Sequence, residues 1–122
     1  MTREPRNVLV VEDDADAATA LTEALDEAGH RVIGPFHSAE SAEAATALHQ
    51  IDLAVLDINL SGEASGIDLA RSLKSRWGVP VIFLSGETLT DPAEVGLAKA
   101  TISKPYSTAD VLKAVQELEP LH

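Results

Sequence analysis

The stretch Leu53-Ala-Val-Leu-Asp57-Ile-Asn-Leu-Ser61-Gly62 is central to this chain of 122 residues. Its apolar run ends abruptly in a carboxylate, and polar and glycine residues follow at once. This is how a buried strand of a parallel sheet delivers one acid to the rim of the sheet. Asp57 is therefore the candidate reactive residue, although an Asp after a strand is more often a turn former or a helix cap. Other parts of the chain have to decide between these interpretations.

Four further runs of apolar or β-branched residues have the length of strands. The first is closed by Glu12-Asp13-Asp14, the second by Gly34-Pro35, the fourth by Ser85-Gly86 and the fifth by Lys104-Pro105. Pro80 stands near the start of the fourth run, where a missing backbone donor is tolerated. The predicted strands cover residues 7–11, 30–34, 53–57, 79–84 and 100–103.

Apolar residues at helical spacing separate the strands. Residues 15–28 are predicted to form a helix that Gly29 ends, and Ser38 is predicted to open a second helix. A loop flanked by Gly62 and Gly66 precedes the third helix, which ends near residues 77–78. Between residues 87 and 99, proline and glycine interrupt the period, so only a short or irregular helix is expected. The residues predicted on the apolar faces of the four regular helices are Ala18, Leu21, Ala24 and Leu25; Ala42, Ala45 and Leu48; Ile67, Leu69, Ala70 and Leu73; and Val111, Leu112, Val115 and Leu118.

Strands and helices alternate five times, which indicates an α/β fold with an open parallel sheet covered on both faces by right-handed crossovers. In such sheets the carboxyl ends of the strands share one edge, and ligands bind there where the strand order reverses. Glu12-Asp13, Asp57, Ser85 and Lys104 all stand at predicted carboxyl ends. The sequence therefore predicts that these residues form one site.

The residue types at this edge suit phosphoryl chemistry. Three carboxylates repel one another unless they protonate or share a cation, and hard oxygen ligands in a shallow, wet site suit Mg²⁺. Asp57 could act beside the metal as a nucleophile toward phosphorus. The ammonium of Lys104 could neutralise phosphoryl charge, and the Ser85 hydroxyl could donate to a phosphoryl oxygen.

The composition bounds the class of protein. A hydrophobic content of 45% suits one globular domain. The absence of cysteine excludes disulfides, thiolate zinc sites and thiol nucleophiles. A net charge of -11 argues against direct binding to nucleic acid or an anionic membrane. No export signal or membrane span is recognised, so we expect a soluble, cytoplasmic protein.

Four motifs resemble those of the receiver domain of two-component response regulators, in the right order and over nearly the whole chain. They are Val8-Leu-Val-Val-Glu12-Asp13, Leu56-Asp57-Ile-Asn59, Phe83-Leu-Ser85-Gly86 and Ser103-Lys104-Pro105. The resemblance implies a flavodoxin-like (βα)5 fold, which is a doubly wound parallel sheet with strand order 2-1-3-4-5. It also implies a cis peptide bond between Lys104 and Pro105.

The resemblance implies a reaction and a metal site. Asp57 would accept a phosphoryl group from a sensor histidine kinase or a histidine phosphotransfer protein, with Mg²⁺ as the cofactor. Asp13 and Asp57 would ligate the metal through their carboxylates, Glu12 through water and Asn59 through its backbone carbonyl. Signalling would then follow from phosphorylation-dependent contact with a partner protein.

The resemblance also implies a switch. Ser85 would be the switch hydroxyl, and Lys104 would bind the phosphoryl group. Asn59 and Glu87 stand at positions that tune the hydrolysis of the acyl phosphate in receivers. The residues predicted to modulate the switch are Gly86, Glu87, Thr101 and Pro105.

Two departures from the receiver pattern concern signal output. Receivers usually carry Tyr or Phe three residues before the lysine, and Thr101 stands there in this chain. The interval from Ser85 to Lys104 is a few residues shorter than usual, which resembles an atypical alphaproteobacterial subclass with a reduced fourth helix. That subclass has an aromatic residue soon after the hydroxyl residue, where this chain has Glu87-Thr88. We therefore expect output through rearrangement of the 86–100 loop instead of an aromatic flip.

The chain is expected to be one stand-alone receiver over residues 1–122. Its core is expected at residues 7–118, and it is expected to act as a phosphoacceptor and not as an enzyme on an external substrate. One alternative is a small phosphatase or phosphotransferase that uses Asp57, although Asn59 replaces the second acid that such an enzyme would need. Two further alternatives are an interaction domain that is never phosphorylated and a receiver cut from a longer regulator.

Some residues have no predicted part in this site. Asp14 and Asp16 are expected to cap the first helix. The four histidines show no ligand spacing and are expected at the surface. Phe36 and Tyr106 could either pack in the core or form a partner surface.

Overall fold

A computed structural model describes residues 6–60 and 65–118. Strands and helices alternate along these ranges. The strands are β1 (Asn7–Val11), β2 (Arg31–Phe36), β3 (Leu53–Asp57), β4 (Val81–Ser85) and β5 (Ala100–Ser103). The helices are α1 (Ala15–Glu27), α2 (Ala39–Leu48), α3 (Gly66–Ser72), α4 (Pro92–Val95) and α5 (Thr108–Glu117), and a π-helical turn (Leu73–Trp77) continues α3.

The strands form one parallel sheet in the order β2-β1-β3-β4-β5, which confirms the predicted fold and strand order. The pairs β1–β3, β3–β4 and β4–β5 keep a regular register at the edge where the predicted site lies. Val11 pairs with Leu56, Asp57 with Leu84, and Ser85 with Ser103. The ends of β1, β3, β4 and β5 therefore meet at one edge of the sheet.

The core lies on both faces of the sheet, because successive strand residues point to opposite sides. On one face, Leu9, Leu56 and Phe83 pack with residues of α2 and α3. On the other face, Val10 and Val55 pack in a cluster that includes residues of α1 and α5. β3 and β4 are buried along their whole length. This two-sided burial explains why both strands are continuous apolar runs in the sequence.

Polar side chains fix where the helices begin. Asp14 is the N-cap of α1 and accepts hydrogen bonds from the backbone amides of Asp16 and Ala17, so its predicted capping role is confirmed. Asp16 lies in the first turn of the same helix. Ser65 and Ser107 begin α3 and α5 through reciprocal capping boxes.

The predicted end of the second strand is wrong, because β2 does not close at Gly34-Pro35 but runs on to Phe36. The strand lies at the edge of the sheet, where the missing amide of a proline is tolerated. Gly34 has a φ of 115°, and a Cβ there would lie 2.8 Å from the backbone oxygen of Val10. The amide of Glu12 still bonds to the oxygen of Phe36, at 2.9 Å, so the pairing resumes beyond the irregularity.

The fourth strand also begins later than predicted, at Val81 instead of residue 79. The amide of Val79 donates to the oxygen of Leu73 at 3.0 Å and closes the preceding helical turn. Gly78 ends that turn with a left-handed φ of 65°. The predicted stop near residues 77–78 is therefore confirmed.

The helices α2 and α4 can be compared with what the pattern of apolar residues predicted. In α2 the predicted apolar position Leu48 is wrong, since Leu48 is 80% exposed. The buried residues Ala39, Ala42 and Thr46 follow a stripe that passes to one side of Leu48. The short helix predicted after β4 is confirmed, because α4 has only four residues.

No helix in the described ranges has the length and apolar content needed to cross a bilayer.

The hydroxyl of Thr22 in α1 is buried and has no hydrogen-bond partner among the described residues. An unsatisfied buried polar group costs roughly 1–3 kcal/mol. Valine has nearly the same shape without the hydroxyl, and its helix propensity is similar to that of threonine. We therefore expect Thr22→Val to raise the free energy of unfolding by about 1 kcal/mol in urea denaturation.

The matched control is Thr19→Val in the same helix. The hydroxyl of Thr19 donates to the oxygen of Ala15 at 2.9 Å, and the residue is exposed. Removing it should not stabilise the protein. Equal effects of the two substitutions would show that the Thr22 hydroxyl is not an unfavourable buried group.

Candidate functional site

Asp57 ends β3 and is only 2% exposed. Its Oδ2 accepts a hydrogen bond from the Nζ of Lys104 at 2.5 Å, and its Oδ1 accepts one from the backbone amide of Asn59 at 2.9 Å. Charge-assisted hydrogen bonds of this kind are shorter and stronger than neutral ones. Lys104 and the β3–α3 loop therefore hold the Asp57 carboxylate from two sides.

Glu12 follows β1 directly and is 1% exposed. Its Oε2 accepts from the backbone amide of Asp13 at 2.9 Å, and its Oε1 accepts from the hydroxyl of Tyr106 at 3.1 Å. Burial, a hydrogen bond with the Asp57 carboxyl and the negative charge of Asp57 raise the pKa of Glu12 to about 7. The charge of Lys104 and the Tyr106 hydroxyl act in the opposite direction. The two adjoining acids therefore favour a shared proton or a bound cation.

The other two predicted metal ligands, Asp13 and Asn59, are exposed beside this pair. Within residues 6–60 and 65–118, no three acidic or histidine side chains stand close enough together to hold a metal by themselves. The acid pair of Glu12 and Asp57 nevertheless offers hard oxygen atoms whose mutual repulsion a cation would relieve. This donor chemistry fits Mg²⁺, which takes few protein ligands and completes its octahedron with water.

Ser85 ends β4 and is 3% exposed, but its hydroxyl is turned into its own loop. The Oγ donates to the backbone oxygen of Glu87 at 2.5 Å and accepts from the amide of Glu87 at 3.1 Å. The side chain of Glu87 and the neighbouring Gly86 are exposed. The described contacts of the Ser85 hydroxyl therefore tie it to the β4–α4 loop.

Lys104 follows β5, and its backbone amide donates to the oxygen of Ser85 at 2.7 Å. This bond fixes the end of β5 beside the end of β4. The peptide bond between Lys104 and Pro105 is cis, as the sequence predicted. Thr101 is exposed on β5 and pairs with Phe83, at the position where receivers usually carry an aromatic residue.

The sequence left three residues near the site without a specific role. A Cβ at Gly66 would lie 2.2 Å from the backbone oxygen of Asp57, so only glycine allows α3 to approach Asp57 this closely. The Nδ1 of His37 lies 2.9 Å from the backbone oxygen of Glu12. Tyr106 reaches the carboxyl of Glu12. The position of Tyr106 two residues after Lys104 was the only sequence signal that placed it near the site. The contacts of Gly66 and His37 could be recognised only in the folded structure.

A groove of about 480 Å³ runs along the site between α1 and the start of α5. Its lining combines small or apolar side chains with charged and hydroxyl groups of the site. The lining residues are Glu12, Asp14, Ala17, Ala20, Lys104, Pro105, Tyr106 and Thr108. The groove gives a partner access to the immediate neighbourhood of the two acids.

The raised pKa of Glu12 predicts how pH changes stability. Because the folded state binds this proton more tightly than the unfolded chain, the folded state loses stability as the pH rises from 4.5 toward 7. Glu12→Gln removes the titrating group and keeps nearly the same shape. We expect the stability of this variant relative to the wild type to increase by about 2 kcal/mol across that interval in denaturation without divalent metal. Parallel stability curves for the two proteins would contradict the raised pKa.

Comparisons with known proteins identify the family of this chain. The chain matches the family described as response regulator receiver domain over residues 8–116. It is 31% identical to the transcriptional regulatory protein PdtaR of Mycobacterium tuberculosis over 115 residues, covering 92% of this chain and 56% of the relative. It is 34% identical to the DNA-binding response regulator MtrA of the same organism over 118 residues, covering 91% and 49% of the two chains. The chain thus spans about half the length of these curated relatives.

Among solved structures, the fold resembles that of the response regulator protein TrrA from Thermotoga maritima, which was crystallised in complex with Mg²⁺-BeF. The TM-score is 0.83 at 22% identity, and the match covers 93% of this chain and 99% of that one. This likeness concerns the fold alone. The family match over residues 8–116 is the broader finding, and it shows that the chain belongs to the response regulator receiver domain family.

Proposed function

We propose that this chain is a phosphoacceptor receiver in which Asp57 takes a phosphoryl group from a sensor histidine kinase or a histidine phosphotransfer protein. The observation that carries the proposal is the placement of Asp57 between the Lys104 ammonium and the Glu12 carboxyl at the carboxyl edge of the sheet. Receiver domains serve phosphorylation-based signalling, so the family membership supports the same chemistry.

The reaction follows from the environment of Asp57. One carboxylate oxygen attacks the phosphorus atom, and the bond from phosphorus to the donor atom breaks, with its electron pair leaving on the donor. The product is an acyl phosphate on Asp57. The backbone amide of Asn59 and the Nζ of Lys104 orient the carboxylate before the attack, since each already bonds one of its oxygens.

Glu12, Asp13, Asp57 and the backbone carbonyl of Asn59 are the residues that would hold Mg²⁺. When bound, Mg²⁺ supplies positive charge that offsets the repulsion between the incoming phosphoryl group and these acids. The ammonium of Lys104 supplies a positive charge from the chain itself. Phosphorylation adds about 1.5 to 2 negative charges, and the Nζ of Lys104 can pass from Asp57 to a phosphoryl oxygen without leaving the site.

Ser85 links the reaction to the rest of the chain. Its hydroxyl can donate to a phosphoryl oxygen only after it gives up its hydrogen bond to the oxygen of Glu87. The segment from Gly86 to Lys99 contains little regular structure, because α4 has four residues and none of them is buried. The loss of one hydrogen bond at Glu87 is therefore expected to shift the whole 86–100 loop.

The groove beside α1 suits the approach of a phosphodonor protein. The outer surface of α1 carries acidic residues, and no lysine or arginine occurs between Arg6 and Arg31. A donor with a basic docking surface fits this charge. The downstream target is proposed to be a protein, because a net charge of -11 disfavours direct contact with nucleic acid. A cytoplasmic location stays a prediction.

Intact mass spectrometry after incubation with acetyl phosphate and Mg²⁺ tests the proposal. We expect a labile adduct of one phosphoryl group that disappears in Asp57→Asn and in the presence of a chelator. The matched control is Asp26→Asn, which removes an exposed carboxylate of α1 and should leave the adduct unchanged. An adduct that persists in Asp57→Asn would contradict the proposal. Turnover of a generic phosphate ester would instead favour the phosphatase alternative.

The response of the 86–100 loop can be followed by nuclear magnetic resonance. Upon phosphorylation we expect the largest amide shifts in this loop, with Glu87 among them, because Ser85 has to release it. In Ser85→Ala the same loop should respond much less, while amides next to Asp57 still shift. Shifts confined to regions outside the loop would contradict this route of output.

A further inference from the structure

The β5–α5 loop contacts both acids of the site with two side chains that are two residues apart. The Nζ of Lys104 lies 2.5 Å from Oδ2 of Asp57, and the hydroxyl of Tyr106 donates to Oε1 of Glu12 at 3.1 Å. A displacement of this one loop would therefore change the surroundings of both acids. Lys104 has a part in the proposed reaction, and Tyr106 has none so far.

The ring of Tyr106 is held by packing and not by its hydroxyl alone. It is partly buried against the core cluster that contains Val8 and Val10 of β1. Glu12 follows the same strand directly. The packing of the ring on this cluster and the attachment of Glu12 to the end of β1 keep the hydroxyl close to the Glu12 carboxyl, at a hydrogen-bond distance of 3.1 Å.

Glu12 in turn has both carboxylate oxygens engaged by donors. The amide of Asp13 bonds Oε2 at 2.9 Å, and the Tyr106 hydroxyl bonds Oε1. One donor on each oxygen restricts the rotation of the carboxyl group. Without the hydroxyl, Oε1 would lose its donor, and the Asp13 amide and the Asp57 carboxyl would be left to orient the group.

We propose that Tyr106 is a positioning residue, which holds the Glu12 carboxyl in the orientation needed for Mg²⁺ and so sets the affinity of the site for the metal. The inference rests on the proposed function, because it assigns Glu12 to the metal site. The physical ground is that removing a group which orients a metal ligand typically weakens metal binding by about 10- to 100-fold. Because Glu12 is proposed to reach the metal through water, we expect a smaller effect here. Tyr106 touches neither the phosphoryl group nor the reacting oxygen in this scheme.

The test compares the wild type with Tyr106→Phe, which keeps the ring and removes the hydroxyl. By isothermal titration calorimetry with MgCl₂ alone, we expect the dissociation constant of Mg²⁺ to rise by about three- to tenfold. In acetyl phosphate assays, the half-saturating Mg²⁺ concentration should rise by the same factor. The maximal rate at saturating Mg²⁺ should stay within about twofold, because the hydroxyl acts through Glu12 and not on the reacting atoms.

Two control variants separate positioning from packing. Thr108→Val changes another residue that lines the groove and should leave the Mg²⁺ affinity unchanged. In a Glu12→Gln background, Tyr106→Phe should change the Mg²⁺ affinity by less than about twofold, since the carboxylate that it orients is absent. A residue with a purely structural role would lower the melting temperature and leave the Mg²⁺ affinity in place.

The possible failures are distinguishable. If the wild type binds Mg²⁺ and Tyr106→Phe binds it equally well or more tightly, this inference is overturned and the proposed function stands. An undiminished effect of Tyr106→Phe in the Glu12→Gln background also overturns it, because the hydroxyl would then act by another route. If the wild type binds no Mg²⁺, the proposed function fails and this inference fails with it.

Discussion

Two acids that the fold places side by side are the constraint on which the rest of the site depends. β1 and β3 are neighbours in the sheet, and the pairing of Val11 with Leu56 brings Glu12 beside Asp57. Both residues are almost fully buried, so their charges are poorly screened. Lys104 reduces the repulsion through its contact with Asp57, but one ammonium cannot neutralise two carboxylates. The folded chain therefore favours a proton or a cation at this place before any partner arrives.

This constraint explains why the site has to be assembled from four strand ends. Parallel strands deliver their last residues to one edge, and short backbone bonds between neighbouring strands hold that edge together. One of these bonds runs from the amide of Lys104 to the oxygen of Ser85. The close approach of Gly66 to the oxygen of Asp57 is a steric constraint at the same edge. A rigid edge keeps the acids in contact, while the loop beyond Ser85 has little regular structure to restrain it. In the proposed function, the fold thus combines a fixed reaction site with a loop that responds to it.

Much of this arrangement could be predicted from the sequence, because the strongest signals are local. The apolar run before Asp57 predicted β3 with its correct end. The polar residues at the carboxyl ends of the predicted strands indicated which side chains meet at one edge of the sheet. Two of the errors came from features that depend on distant residues. The continuation of β2 past Pro35 depends on its edge position, and the exposure of Leu48 depends on how the stripe of α2 meets the sheet.

Within the site, contacts between strand ends could be predicted from the sequence, and contacts that depend on loop conformation could not. The side chains of Asp57 and Lys104 meet as their positions at strand ends suggested. The bond from Tyr106 to Glu12 joins residues 94 positions apart and depends on the path of the β5–α5 loop. The turn of the Ser85 hydroxyl toward Glu87 depends on a rotamer and a loop conformation that no spacing rule supplies. The family assignment gives the general kind of signalling, and these contacts come from the structure of this chain.

The most direct test of the account is a carboxyl ¹³C nuclear magnetic resonance titration of Glu12 and Asp57, recorded with and without Mg²⁺. In the metal-free protein we expect a Glu12 resonance that titrates with a pKa of about 7. We expect Mg²⁺ to lower this pKa, because the bound cation competes with the proton for the carboxylate. A Glu12 resonance that titrates near its ordinary value without metal, and that Mg²⁺ does not move, would contradict the claim that the acid pair creates the metal site.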